Sequence, residues 1–329
     1  MSIENENGLS PAVCRDRAAG CLVGLAIGDA FGDAARDPDN QFLYGITTDF
    51  PEKSTGSTDD TEFALLTAEI LLRSNGDPGP EDVADAWRQH VLVQDELKRG
   101  GASEREAAAN IRRGLTAPES GRFNAYAASD GAAMRAAPAG IVAAGDPDRA
   151  AQLAERDSEI SHWGEGVWGA QAVAAAVSVA MAGGSVSEVF EEGMRRAPRD
   201  SWLRHNFAKA LELIDSRGRD LQAVWMELHR ILRGEYKASA PEAVVSAFAV
   251  FLMTDGDFRD GIVYSGNFGR DSDTVGAITG ALAGAGAGLT GIPDDWAAKV
   301  RRPAGTCLEF TAGLDIVDVA HRLSGLHGS

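Results

Sequence analysis

Gly269-Arg270-Asp271-Ser272-Asp273-Thr274 is a short acidic turn that runs directly into Val275 to Leu289, a stretch made largely of Ala and Gly. Two carboxylates one residue apart, followed by a hydroxyl, bring three hard oxygen donors close together. Alternate positions of an extended segment point to the same side, so Asp271 and Asp273 can converge on one cation. Donors of this kind suit Mg²⁺, Mn²⁺ or Ca²⁺ better than zinc. The plainer reading is that the acids cap the following helix and complement its dipole. Taken alone, the turn favours that reading, because acids at helix starts are the usual pattern.

A second turn of the same kind lies far away in the chain. Ser57-Thr58-Asp59-Asp60-Thr61 opens an amphipathic helix, Glu62 to Arg73, and Ser57 with Asp60, or Asp59 with Glu62, has capping-box spacing. If the two helix starts meet, four carboxylates converge with two hydroxyls. Such an anionic group is costly in a low-dielectric interior unless cations neutralise it. A two-metal centre resolves the conflict.

The rest of the chain reads as helices and connecting loops. Ala18 to Phe31 places Gly20, Gly24 and Gly28 four residues apart, which suggests close backbone contact with another element, since Gly costs a helix about 1 kcal/mol relative to Ala. Ala34 to Gly56 is polar and reads as a loop able to fold over a site. Glu81 to Leu97 reads as a helix, and the charged residues of Glu104 to Gly114 read as a solvated face. Ser129-Asp130-Gly131 is a turn before a helix, a weak phosphate-binding signal. His162 by itself reads as a satisfied core histidine. Gly261 to Tyr264 is too short to assign as a strand, and Pro293 to Trp296 is expected to end the packed region before a last helix, Ala312 to Leu326. No glycine fingerprint follows a strand, no P-loop occurs and βα alternation is missing, which argues against Rossmann and barrel folds. The expectation is an all-α, compact bundle forming one domain over residues 1–329, with residues 1–13 a flexible tail.

Composition narrows the function. Apolar residues make up 44% of the chain, enough for a substantial core. The net charge of -18 argues against a nucleic-acid partner. Three cysteines, Cys14, Cys21 and Cys307, form no CxxC pair and fit a reduced, cytoplasmic setting. The N-terminus lacks the regions of a signal peptide, and the Gly-rich apolar stretches near 18–35 and 275–292 read as core rather than membrane.

These segments together resemble the ADP-ribosylglycohydrolase family. Gly24 to Ala30 looks like its GxxxGDA helix, and Ser57 to Thr61 like its TDDT turn. Gly131 to Pro138 resembles its GxxMRxxP segment, Ser161-His162 its S/T-H pair, and Gly269 to Thr274 with Ile292-Pro293 its C-terminal signature. Five such matches stand in the right order over about 270 residues. The resemblance implies an all-α orthogonal bundle with two Mg²⁺ (or Mn²⁺) held by Thr58, Asp59, Asp60, Asp271, Asp273 and Thr274. It also implies ADP-ribose or an ADP-ribosylated protein or small molecule as partner. Ser129, Asp130, Gly131, Met134, Arg135 and His162 would then face the substrate, and Asp59, Asp60 and Asp273 the chemistry.

One position departs from the pattern. Hydrolytic relatives commonly carry a Glu on the loop beyond the first helix, where this chain has Arg36. Arg36 cannot act as a base, so Asp33 or Asp37 is the expected substitute, while Arg36 itself could contact phosphate. The leading expectation is a metal-dependent hydrolase acting at ribose C1″. The alternatives are a non-hydrolytic ADP-ribose-binding or partner-shielding protein on the same fold, or a glycosidase of a free ribosylated nucleotide or metabolite. A metal-dependent phosphohydrolase fits the acids but not the Gly131–Pro138 and Ser161-His162 segments.

Overall fold

The computed structural model describes residues 9–36, 45–51, 54, 56–218 and 220–326. Among the described residues there is no β-strand, only an isolated antiparallel bridge between Ser129 and Ser239. The all-α expectation therefore holds. The longest helix, Pro11–Arg36, extends the sequence reading at both ends. Residues 11–13 belong to this helix rather than to a tail, whereas residues 1–8 lie outside the described residues. The helix is long and apolar enough to cross a membrane by length and composition alone, but 89% of its apolar window is buried inside the fold.

Its principal partner is the buried Ser272–Ala287 helix. The two run antiparallel in a register that sets Gly20 against Gly284, Gly24 against Gly280, Gly28 against Gly276 and Gly32 against Ser272. A Cβ added at any of these four N-terminal-helix glycines would overlap the facing backbone carbonyl. The glycines are therefore needed for the close approach of two backbones, as their spacing suggests. Because the register is antiparallel, the C-terminal end of the first helix meets the N-terminal end of the second. That junction brings Asp29, Asp33 and Arg36 to the Asp271–Thr274 turn.

Asp59–Arg73, Ala137–Val142, Glu165–Met181, Ala240–Met253, Phe258–Gly266 and Ile316–Ser324 pack around this pair. The Gly261 to Tyr264 run lies within the Phe258–Gly266 helix, where Asp257 caps by accepting from Asp260 N at 2.8 Å. The helix expected to reach Leu97 is Pro80–His90 and stops earlier. The packed region does not end at Trp296. That indole is fully buried within the Asp294–Val300 helix, beside Phe31 and Phe50 with ring centroids 5.8 and 6.2 Å away. Its N–H donates to Asp49 at 2.8 Å. Thr47 exchanges hydrogen bonds of 2.9 and 2.7 Å with Asn267. The described part of the expected flap, residues 45–51, is thus fastened to the helical core.

The glycine register yields a paired test. Gly28→Ala should lose about 1–3 kcal/mol or more in urea unfolding, because neither backbone can give way. Gly286→Ala, on the same Gly/Ala helix but with nothing within 4 Å of the added Cβ, should gain about 0.5–1 kcal/mol from helix propensity.

Candidate active site

A cavity of about 420 Å³ opens where these helix ends meet, lined among others by Arg36, Asp59, Asp60, Glu104, Ser129, Asp130, Gly131, Met134, Lys237, Asp271 and Thr274. Its acids come from both acidic turns. Asp59, Asp60 and Asp273 can each offer an oxygen such that the three atoms lie within 4.8 Å of one another. All three are buried, at 6%, 1% and 0% exposure. Asp60 Oδ1 and both oxygens of Asp273 have no hydrogen-bond partner. Buried carboxylates left in this state call for a cation or a proton.

The first-helix residue Asp29 organises the Asp59 turn. Its buried carboxylate accepts from Thr58 N at 2.9 Å, from Thr61 N at 3.2 Å and from Thr58 Oγ1 at 2.7 Å, with a further short bond from the Thr61 hydroxyl. Asp29 therefore caps the Asp59–Arg73 helix from another element, and Thr58 at the N-cap makes no side-chain cap bond of its own. The local capping-box reading of Ser57 to Glu62 is corrected accordingly. Ser57 Oγ instead donates to Glu62 at 2.9 Å, and Glu62 accepts from the backbone of Thr306, Cys307 and Leu308 at 3.0, 2.8 and 2.7 Å. Asp271 likewise stands at an N-cap without a side-chain cap bond. With no capping bonds made by Asp59, Asp60, Asp271 or Asp273, their carboxylates are left for the cavity.

Arg36 reaches into this group. Its Nη1 abuts Asp273 Oδ2 and lies 4.0 Å from Asp271 Oδ1, and its Nη2 is 3.5 Å from Asp33 Oδ1. The Asp273 contact is an ion pair without hydrogen-bond geometry. Arg99 also pairs with Asp33, and Asp33 is not part of the cavity lining. Asp33 is thus an anchor for two guanidiniums rather than an available base. Asp37 lies outside the described residues.

The substrate-facing residues divide into two sets. Ser129, Asp130, Gly131 and Met134 line the cavity. Arg135 and His162 are fully buried behind it. Arg135 binds Asp157 at 2.7 Å and Glu104 at 3.3 Å, and donates to Ser161 Oγ at 2.8 Å. Ser161 Oγ is 2.7 Å from His162 Nδ1, and His162 Nε2 is 2.9 Å from Ser129 Oγ. Burial, followed by the charge of Arg135, pushes His162 well below its ordinary range, so the ring is neutral. Giving the Ser161 hydroxyl its shortest acceptor, Nδ1 at 2.7 Å over the Ser158 carbonyl at 3.4 Å, sets the assignment: Arg135 donates to Ser161, Ser161 to Nδ1, and Nε2–H to Ser129. Ser129 then keeps its hydroxyl proton for a ligand. Arg135 and His162, expected at the substrate, lie behind Ser129 instead of on the cavity wall.

Glu104 departs from the solvated-face expectation for its segment, whose Arg105, Arg112 and Arg113 are exposed as expected. It is fully buried, its carboxylate wedged where a Cβ on Gly101 or Gly131 would overlap it. Gly100-Gly101 directly before a helix was the one sequence signal for this wall. Arg99 and Lys237 carried no comparable signal, and Asp29 carried only its place in the Gly24 to Ala30 match. None of the described residues 45–56 lines the cavity.

Residues 10–327 match the ADP-ribosylglycohydrolase family. The chain belongs to that family. The ADP-ribosylarginine hydrolase Tri1 of Pseudomonas putida is 27% identical, over 89% of this chain and 76% of its own. The ADP-ribosyl-[dinitrogen reductase] glycohydrolase of Rhodospirillum rubrum is 27% identical, over 91% and 98%. An uncharacterized Archaeoglobus fulgidus protein is 31% identical, over 84% and 88%. A solved structure described as an ADP-ribosylglycohydrolase-related protein complex superposes with a TM-score of 0.62, covering 96% of this chain and 99% of that one at 26% identity. ADP-ribosyl hydrolysis is the reaction class these relationships support for the chain.

Two tests follow from the electrostatics of this family member. Burial first, then neighbouring carboxylates, raises Asp59, Asp60 and Asp130 well above the usual range, and raises Asp273 to about 7. The folded state therefore holds protons that the unfolded chain releases, and this contribution to stability is full below about pH 4 and falls as pH rises towards 7. Chelator-treated protein should show a melting temperature that drops across that window beyond what the Asp59→Asn/Asp273→Asn double variant shows. Arg135→Met should cost about 3–5 kcal/mol in denaturant unfolding, because Glu104 and Asp157 would remain as buried, uncompensated charges.

Proposed function

We propose that the chain is a divalent-cation-dependent hydrolase that cleaves the glycosidic bond at ribose C1″ of an ADP-ribosylated protein side chain and releases ADP-ribose. The observation that carries this reading is the convergence of the buried carboxylates of Asp59, Asp60 and Asp273 beside the cavity, with Asp60 Oδ1 and Asp273 Oδ1 left without a partner. An all-oxygen donor set of this charge fits Mg²⁺ or Mn²⁺, with Thr58, Asp271 and Thr274 adjoining it. When bound, a cation there would orient ribose hydroxyls and lower the pKa of a water.

The chain's own groups do the rest. Asp59 is the most exposed of the three acids and lines the cavity together with Asp60. It takes the proton of the water that attacks C1″ as the bond to the acceptor atom breaks. The neighbouring carboxylates favour the positive charge that builds on the ribose ring in an oxocarbenium-like transition state. Ser129, its Oγ accepting from His162, donates its proton to a ribose or phosphate oxygen. Lys237, a half-exposed cation on the cavity wall, faces the diphosphate.

The names of the two assigned relatives refer to ADP-ribosylarginine and to ADP-ribosylated dinitrogen reductase. A protein side chain is accordingly the substrate class we adopt, and an acid-lined cavity suits a cationic acceptor such as a guanidinium. Arg36 is taken up by Asp33, Asp271 and Asp273, so it adds no support for a free nucleotide substrate.

With Mg²⁺ present, the purified protein should release ADP-ribose from ADP-ribosylated arginine or serine peptides, read by mass spectrometry of the products. Asp59→Asn should lower kcat/KM by about 10²-fold or more, at least the scale of a lost general base because the same carboxylate belongs to the cation-binding group, with the helical circular dichroism unchanged. ADP-ribose binding by calorimetry without any turnover across the peptide panel would replace the hydrolase reading with a binding role.

A further inference from the structure

The acids of the two acidic turns fall into two electrostatic classes. Among the described residues, neither Asp59 nor Asp60 has a basic side chain within 4.0 Å. Asp271 has two: Lys237 Nζ at 2.9 Å and Arg36 Nη1 at 4.0 Å. Asp273 stands between the classes, with Oδ2 against Arg36 and its ligand-forming position beside Asp59 and Asp60. Arg36 thus occupies the gap between Asp271 and Asp273, where a bridging cation would otherwise sit.

Its position is fixed by the fold. Arg36 is the last residue of the Pro11–Arg36 helix, four residues beyond Gly32, whose backbone lies against Ser272. Asp33, one turn back, holds the other arm of the guanidinium and is itself held by Arg99. A guanidinium stays charged at any working pH and has no coordination position for water or a sugar hydroxyl. It can neutralise two carboxylates, but it cannot bind substrate as a metal ion does.

We propose that Arg36 replaces one of two cations, so that this chain takes a single divalent ion, on Asp59, Asp60 and Asp273. The inference rests on the metal-dependent reading above and narrows it. A second divalent ion at Asp271 and Asp273 would meet the positive charges of Arg36 and Lys237, which already pair with those carboxylates. The remaining site keeps the buried oxygens that have no partner, Asp60 Oδ1 and Asp273 Oδ1.

The test is metal stoichiometry, independent of catalysis. Chelator-treated full-length protein is titrated with Mn²⁺ at about 0.15 M salt, which screens much of the surface charge, and free and bound ion are read by electron paramagnetic resonance. Binding that survives in Asp59→Asn is counted as non-specific and subtracted. The expected result is one Mn²⁺ per chain with the spectrum of an isolated ion. In Arg36→Glu the count should double, and the spectrum should become that of a coupled pair. If circular dichroism shows that variant unfolded, Arg36→Met serves in its place, since it removes the charge without adding a ligand and should also admit a second ion. Two Mn²⁺ in the wild type would overturn the inference while leaving the metal-dependent reading intact. A folded Arg36 variant that still binds one would overturn the role of Arg36. No Asp59-dependent binding at all would overturn both the inference and that reading.

Discussion

Backbone-to-backbone contact between the Pro11–Arg36 and Ser272–Ala287 helices sets the position of the acids of both acidic turns. Gly20, Gly24, Gly28 and Gly32 leave no room for a side chain against their partners, so neither sliding nor rotation of one helix over the other is tolerated. Dense interiors transmit such constraints because they deform little. Asp29 can therefore cap the Asp59 turn across elements, and Arg36 can meet Asp271 and Asp273 although more than 200 residues separate them in sequence. The same helix pair that forms the centre of the core also assembles the site.

The site that results combines two different solutions to buried charge. Arg135 sits in a group in which every partner is satisfied: Asp157, Glu104, Ser161 and the Gly131 carbonyl surround it, with the Phe63 and Trp87 rings 5.9 and 5.8 Å away. A fully connected network of this kind rigidifies what it touches, and what it touches is the Ser129–Gly131 wall and, through Glu104, the Gly101 wall. Asp59, Asp60 and Asp273 are the reverse case, held close together by the fold with Asp60 Oδ1 and Asp273 Oδ1 left without donors. A rigid wall beside an electrostatically incomplete floor is the arrangement expected of a preorganised site rather than of a stabilising core.

The sequence made some of this legible and hid the rest for physical reasons. The Gly20-Gly24-Gly28 spacing announced a close helix contact because only a facing backbone explains repeated glycine on one helix face. The two acidic turns were visible because four acids and two hydroxyls are an unusual pairing. The all-α class followed from missing strand patterns. Glu104 was read as solvated because a charged residue in a charged segment carries no sign of the tertiary glycines, Gly101 and Gly131, that enclose it. Asp29 lies 29 residues from Thr58, beyond the reach of any local capping pattern, and so the cap was assigned to Ser57 and Asp59 instead. Trp296 followed a proline and two acids, a pattern that reads as an ending, yet its ring fills the space beside Phe31 and Phe50. His162 and Arg135 were placed at the substrate because the family segments lie near it. The structure sets both one hydrogen bond or more behind the surface they serve.

Arg36 shows how a single side chain can change the chemistry of a site without disturbing its frame. A carboxylate in that place would add negative charge to a group already short of cations, and would favour metal binding. A guanidinium removes that demand locally, from Asp271 and one oxygen of Asp273, and leaves it at Asp59 and Asp60. Among the described residues, the chain's own positive charge is then unevenly spread, placed at Asp271 and one oxygen of Asp273 and absent within 4.0 Å of Asp59 and Asp60. A ribose bound there would meet an open, charge-demanding centre through one set of hydroxyls only. Its other side would face Arg36 and Lys237, whose fixed N–H donors can hold an oxygen in place but do not activate it.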